Sequence, residues 1–584
     1  MRTKLLLLFA CWTLCLWAER IPKGQAQKMA VEFFRQNKPQ MTVGNLKMVY
    51  DGETPATRSA GIDPAFYVFD NPTGKGFVII SGDDIAQPVF GYSFENDFPI
   101  EQLPDHVKEW LESLKEQVND GRKYGVVALP RSRNLSRAGE VVVQMETAKW
   151  NQNSPYNKLM PQISGKVPPT GCTVTAGAII MRYHRWPEFG TGTIPGYTTA
   201  TNKIEMPAIE LGHTYEWDKM PLVYKKGYTD EEADLVAQLM LEVGTMMKVD
   251  YKVGATSGTT SNLASVLPTY MGYDKSALYR TREDYMDTEW HELMRTELQQ
   301  GRPIIYRGRN DKSGHAFVLD GYTADSYYSI NWGWGGSYNG YFLLDALVPS
   351  GSGIGGNNSH YNFKQGAVTG LKPDEGGDYI EMIGLSNGGL TTETKEFERN
   401  TPFVIETGRI GNKGGKNFTG TFLWALTDKE GTIKEQLATL KVNELRPTFG
   451  WNYLKQKCVI TVPIAIGDRI RVFYQSETTP EWTLIKGGEE CVWELLVADE
   501  YTIDETTSIR RNKLNHTLVV TTKEGVSVEW VHSDGSSTGD CYETVDQVTT
   551  IHTENLPAGT YKLKLKKGIE SREISIKLGV SSSI

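Results

Sequence analysis

Apolar residues recur at helical spacing from 25 to 36, where Ala26, Met29, Ala30 and Phe33 share one face. Two short apolar runs follow, 66–69 and 76–81, each too brief for a helix, and they read as buried strands. A helix followed by strands predicts a small α+β unit. Between 140 and 372 the pattern is mixed. Thr229 with Glu232 three residues on forms a capping box, and Ala233, Val236, Ala237, Met240, Gly244 and Met247 then fall on one helical face. A methionine stripe at that spacing reads as core packing rather than a cofactor box. Residues 173–185 form another helical stretch, which Trp186-Pro187 stops. From 378 onward helical spacing almost disappears. The runs 418–426, 458–463, 470–474 and 561–565 are short, β-rich and separated by Gly and Asn turns, which predicts one or two β-sandwich domains. No repeat of fixed period marks a solenoid.

The junctions between these patterns are polar. Residues 131–139 (RSRNLSRAG) are basic and aperiodic, as an exposed stretch open to proteolytic nicking would be, and 373–378 (PDEGGD) is a linker by composition. Met1 to Lys4 is a short basic start, the next 13 residues are almost wholly apolar, and Ala18 offers a small residue for cleavage, so 1–18 reads as a secretory signal. That run is too short for a stable membrane span, and a lipoprotein reading through Cys11 is disfavoured by the six apolar residues before it. The domain plan is therefore signal peptide 1–18, propeptide 19–137, a central domain 138–372, a β-sandwich domain 378–498 and a C-terminal β domain 499–584. A secreted or cell-surface protein is expected.

Charge narrows the partners. Lys and Arg number 62 against 71 Asp and Glu, a net charge of −9, and without a basic excess neither nucleic acid nor an anionic membrane is an expected partner. The six cysteines include Cys11 and Cys15 in the leader, leaving Cys172, Cys458, Cys491 and Cys541. None is at CxxC spacing or near a histidine at zinc-ligand spacing, so no metal and no cofactor is expected.

Cys172 differs from the other three by its position. Pro169-Thr170-Gly171 precedes it and a helix follows, so its thiol meets the positive end of the helix dipole, which favours the thiolate a nucleophile needs. A thiolate attacking a carbonyl also needs a general acid for the leaving group, usually histidine. His184 lies on the same helix, roughly 18 Å away at 1.5 Å per residue. His106 is in the segment expected to be removed, His213 and His360 are in loop-like surroundings, and His291, His516, His532 and His552 read as solvated. His315 follows the turn formers Ser313-Gly314 and opens the strand-like run 315–320, with a second strand at 327–332. A reversal near Ala324 brings Asn331 and Trp332 opposite the His315 end, where an amide could orient the imidazole and an indole shield it. For the oxyanion the Cys172 backbone N–H supplies one donor. Asn151, Gln152 and Asn153 all qualify as the second.

Four blocks carry a family resemblance. WNQNSPYN (150–157), PTGCTVTAGAIIMRYHRWP (169–187), GHAFVLDGY (314–322) and NWGWGGSYNGYF (331–342) resemble, in that order, the active-site blocks of the streptopain family, secreted bacterial cysteine peptidases with a papain-like fold. GFVIISGDD (76–84) resembles the family's propeptide. The resemblance implies Cys172 as nucleophile, His315 as acid/base, Gln152 as the oxyanion glutamine, and Trp332 as the tryptophan beside the histidine, with Asn331 next to it. It implies a zymogen whose partners are protein or peptide substrates and its own propeptide as inhibitor. The fold expected is an α+β papain-like peptidase with an N-terminal α+β propeptide and C-terminal all-β sandwich domains. Gly177 and Ala178, and Tyr251-Lys252-Val253-Gly254, depart from the family pattern and bear on substrate preference. LPAGTY (556–561) with the alternating strands after it is similar to the C-terminal sorting domains of Bacteroidetes-type secretion.

Other readings compete. The same Cys–His chemistry serves a cysteine amidase or acyltransferase, and the β-rich tail alone would suit a catalytically idle adhesion protein. Gly384-Leu385-Ser386-Asn387-Gly388 satisfies G-x-S-x-G but leads into a Thr-rich run instead of a helix, and 351–356 satisfies G-x-G-x-x-G with no helix after it, so neither is expected to carry chemistry.

Overall fold

The computed structural model describes residues 20–51, 63–123, 138–309, 314–344, 365–394, 397–465, 467–487, 491–492, 494–497, 508–512, 517–522, 526–539, 541–554, 556–567 and 570–578. The leader 1–18, the basic stretch up to 137, the glycine-rich 351–356, His360 and His516 lie outside them. The chain divides into two units, the first comprising 1–103, 111–138 and 345–348, and the second 104–110, 139–344 and 349–584.

In the first unit the helix Lys23–Asn37 turns Ala26, Ala30, Phe33 and Phe34 inward. Strands Lys47–Tyr50, Phe66–Asp70, Phe77–Ser81 and Val89–Ser93 pair antiparallel in chain order. Phe33 stacks on Phe94 and tilts against Tyr92, so an aromatic cluster closes this small core. Asp83, fully buried, is held by Arg122 at 2.9 Å.

In the second unit the helix Cys172–His184 is buried on every side from Thr173 to Met181, as a central helix must be. It packs on the strand Gly314–Thr323 and on the helix Asp230–Met247, whose N-cap Thr229 forms the expected capping box with Glu232. At Gly177 a Cβ would lie 3.0 Å from the Leu263 side chain and 3.4 Å from Val243, so a larger residue there would press on the helices packed against this one. The sheet runs Gly340–Phe342, Tyr328–Asn331, Gly314–Thr323, Ile304–Arg309, Gly366–Thr369, Leu278–Thr281, all antiparallel, and Val141–Gln144 pairs with Gly314–Thr323 as well.

Among the described residues of the tail, the two larger β cores are separate. One lies between the sheet of Gly450–Val459, Pro402–Asn412, Ile383–Thr391 and Lys486–Gly487 and the sheet built on Ile433–Leu445, Phe418–Thr427 and Arg469–Ser476, and it buries Phe422, Trp424 and Val472. The other buries Ile509, Trp530, Leu563 and Ile576 between the sheets of 508–552 and 527–578. The G-x-S-x-G segment lies inside the strand Ile383–Thr391, so Ser386 has no helix behind it.

Two features differ from the compositional reading. The stretch 373–378 is tied down: Glu375 and Gly377 donate backbone N–H groups to the Asp274 carboxylate at 3.1 Å each, and Pro373 bridges to Tyr273. The first β domain also grips the central domain, through Lys486 to Glu289 at 2.6 Å and Lys413 to the buried Asp284 at 2.8 Å. Removing one partner of a buried ion pair strands the other charge. Lys413→Met is therefore expected to destabilise the protein by about 3–5 kcal/mol, and chemical denaturation followed by tryptophan fluorescence measures it.

Candidate active site

Gly171 caps the helix Cys172–His184 with φ 98°, a backbone that L side chains rarely adopt, and a Cβ there would lie 3.1 Å from Thr256. The turn makes Cys172 the first helical residue and leaves its thiol half-buried at the helix start. The neighbouring strand supplies the next group. Ala316 donates its backbone N–H to Cys172 Sγ at 3.4 Å, which sets the preceding residue, His315, beside the sulfur.

The two side chains act on each other. Burial alone would push the Cys172 thiol up, but hydrogen bonding with His315, the charge of its ring, the Ala316 N–H and the Thr173 hydroxyl outweigh it and hold the thiol below its ordinary value. For His315 burial opposes the imidazolium, while hydrogen bonds and charge from Cys172 and Glu109 raise it to about 9. Opposite shifts of this kind favour a thiolate–imidazolium pair near neutrality. Cys458 and Cys491 are the contrast: burial drives them up to about 11 and about 12. Iodoacetamide is accordingly expected to label Cys172 alone of these three at pH 7 in the processed protein, with a rate that rises on the acid side of 8.5 as the thiolate forms; peptide mapping across a pH series reads both.

Gln152 lies alongside. Its carbonyl accepts from Thr170 N at 2.9 Å, which fixes it two residues from Cys172. The structure separates the three amides that the sequence left equivalent. Asn151 folds into its own turn, its Oδ1 accepting from Gln152 N at 2.6 Å, and Asn153 is exposed. Gln152 is buried, and its side-chain amide has no protein acceptor among the described residues.

Asn331 and Trp332 end the hairpin opposite, Asn331 pairing with Val318. Trp332 is buried, donates its indole N–H to Tyr338 O at 3.1 Å, and packs its ring on Phe317 two residues from His315, with centroids 4.9 Å apart. Asn331 turns elsewhere: its amide donates to Thr147 Oγ1 and to Ala148 O, each at 2.9 Å, and its oxygen accepts from Gly333 N at 3.2 Å. Among the described residues it makes no bond to His315.

Glu109 escaped the sequence reading. It belongs to the part of the helix Asp105–Lys123 that counts with the second unit, and its carboxylate lies 3.2 Å from His315 Nε2. Trp110 next to it meets Trp332 edge-on, with centroids 6.1 Å apart. Amphipathic helical spacing there shows only a packed face. The other histidines are placed apart. His184 is half-buried at the helix end, where desolvation pushes it down to about 4, and His213 pairs with the buried Glu242 at 2.7 Å. His291, expected in solvent, is half-buried against the Tyr328 hydroxyl at 2.8 Å. Among the described residues no group of three or more His, Cys, Asp or Glu side chains could hold a metal ion.

Residues 150–342 match the model of the Peptidase C10 family, and 18–118 match that of the Spi protease inhibitor. Streptopain of Streptococcus pyogenes is 32% identical over 325 residues, covering 53% of this chain and 80% of streptopain. The thiol protease/hemagglutinin PrtT of Porphyromonas gingivalis is 30% identical over 371 residues, and the match spans 61% of this chain but only 42% of PrtT. Among solved structures, a fragment of prointerpain A from Prevotella intermedia is 30% identical, with a TM-score of 0.47, over 56% of this chain and 99% of the fragment.

Proposed function

Because the chain belongs to the peptidase C10 family, the streptopain family of cysteine proteases, we propose that it is a secreted cysteine endopeptidase, made as a zymogen and acting through Cys172 and His315. The observation that carries this reading is the dyad's geometry: a half-buried thiol at a helix start, met at 3.4 Å by the Ala316 backbone N–H and held low by the His315 imidazole beside it. The Cys172 thiolate attacks the peptide carbonyl, the carbonyl pair moves to oxygen, and the oxyanion is met by the Cys172 backbone N–H and the Gln152 amide. The His315 imidazolium then protonates the departing amine. Water, deprotonated by the imidazole, releases the acyl group from sulfur and restores the dyad. The Spi-type stretch 18–118 supports an inhibitory propeptide.

Casein hydrolysis by the processed protein tests the reading against a cysteine amidase or acyltransferase, which would leave casein uncut. Gln152→Ala is expected to lower kcat by roughly 10²–10³-fold. A loss of only a few fold would mean that Gln152 lines the cleft without donating to the oxyanion. Among the described residues no helix is long and apolar enough to cross a membrane. The β domains from 378 onward are proposed to serve secretion, surface retention or substrate docking.

A further inference from the structure

Asp320 sits on the strand that carries His315, five residues farther along, and is buried. Among the described residues, the side chains that reach its carboxylate come from the 144–147 segment and the strand Tyr328–Asn331. Thr147 donates its hydroxyl to Oδ2 at 2.5 Å, Gln144 donates to Oδ1 at 3.4 Å, and Ser329 bonds the carboxylate from the next strand. The backbone repeats the tie, Met145 N donating to Asp320 O at 2.7 Å. Thr147 in turn accepts from Asn331 at 2.9 Å, so one hydroxyl joins three chain segments. Thr147 lies five residues before Gln152, as Asp320 lies five after His315.

We propose that the Asp320–Thr147–Asn331 network is a positioning device that sets the oxyanion donor Gln152 in register with the Cys172–His315 dyad. The inference rests on the peptidase reading and deepens it. A simple space-filling role would be met by apolar residues, since a buried carboxyl is costly to desolvate, and burial does push Asp320 up to about 6 against the bonds it receives. What the polar network adds is direction. Each bond fixes a distance between the 144–152 segment and the strands bearing His315 and Asn331, and oxyanion stabilisation falls off steeply when a donor is displaced by about 1 Å. Asn331 thereby serves the site through Thr147 rather than by touching the imidazole.

The test uses the full chain after processing, with Thr147→Val, Thr147→Ser and Asp320→Asn, and three readouts: kcat and KM on a peptide, inhibition by a peptide aldehyde, and alkylation of Cys172 by iodoacetamide. The aldehyde reports the oxyanion donors, because thiolate addition forms the S–C bond, sends the carbonyl pair to oxygen, and leaves that oxygen to be met by the Gln152 amide and a proton. Alkylation, in which the thiolate displaces iodide, reports the dyad alone. Thr147→Val and Asp320→Asn are expected to lower kcat about 10- to 100-fold with KM within about threefold, to weaken the aldehyde in parallel, and to leave alkylation unchanged. Thr147→Ser, which keeps the hydroxyl, should restore both. If Asp320→Asn does not fold, the Thr147→Val and Thr147→Ser pair decides. Unchanged kcat and aldehyde affinity in Thr147→Val, or loss of alkylation together with them, or failure of Thr147→Ser to restore them, would overturn the positioning role. A wild-type protein that is neither active nor labelled at Cys172 would overturn the peptidase reading instead.

Discussion

Cys172→Ala is expected to give a folded protein whose hydrolysis of casein falls by at least about 10⁴-fold, because removing the nucleophile from a unit of interdependent groups leaves only what binding and oxyanion donors contribute. The fold should survive. The substitution deletes one sulfur that only partly packs on the core, a loss on the order of 1 kcal/mol, and alanine suits the first turn of a helix. Gly171 and its turn are untouched. The imidazole should report the change, since Cys172 is one of the groups that raise His315, so without it His315 titrates lower than about 9. Circular dichroism, casein turnover and the histidine resonances in NMR give the three readings. Full activity in the folded variant would sink the mechanism.

How far the site could be read in advance varies with the residue. The position of Cys172 at a helix start is legible because it depends on local facts, a glycine turn and the helix behind it. His315 was legible as the one histidine placed by a turn at a strand start. Gln152 was not separable from Asn151 and Asn153 by pattern, since what distinguishes them is a side chain folding into its own turn. Asn331 was placed on the correct strand, but its direction depends on a register shift between Leu319 and Gly321 that no alternation of residues announces. Asp320 read as the polar end of a strand, and its partners come from sequence separations of 173 and 176 residues. In the tail the short apolar runs marked the inner strands, whereas Ile433–Leu445 and Gly450–Val459 are polar sheet edges and passed unread. The run 458–463 caught only the end of the second. Residues 373–378 looked like a linker because Gly and Asp dominate them, although those same backbone N–H groups are what Asp274 recruits.

The second large effect concerns latency. In the full-length precursor, initial casein hydrolysis is expected to be at least about 10²-fold slower than in the processed protein. The Glu109→Ala precursor is expected to recover about 30-fold of that loss, the low end of the roughly 2–5 kcal/mol for truncating one side of a buried, hydrogen-bonded charge pair. The motive is chemical. Glu109 belongs to the Spi-like stretch 18–118, and its carboxylate stands 3.2 Å from the His315 nitrogen that would face a leaving amine. An imidazolium held by that carboxylate is stabilised in its charged form, which raises its pKa and makes it a poorer proton donor to the leaving group. Cutting the pro-segment away removes the carboxylate, so His315 should titrate below about 9 in the processed enzyme, and the alkaline limb of kcat/KM should end lower than it would with Glu109 in place. Initial rates taken before processing, with mass spectrometry to confirm an intact chain, decide the matter. A precursor as fast as the processed enzyme would end the zymogen reading. A silent Glu109→Ala precursor would leave latency standing but assign it to the rest of the pro-segment, with the ion pair at His315 no more than a bystander.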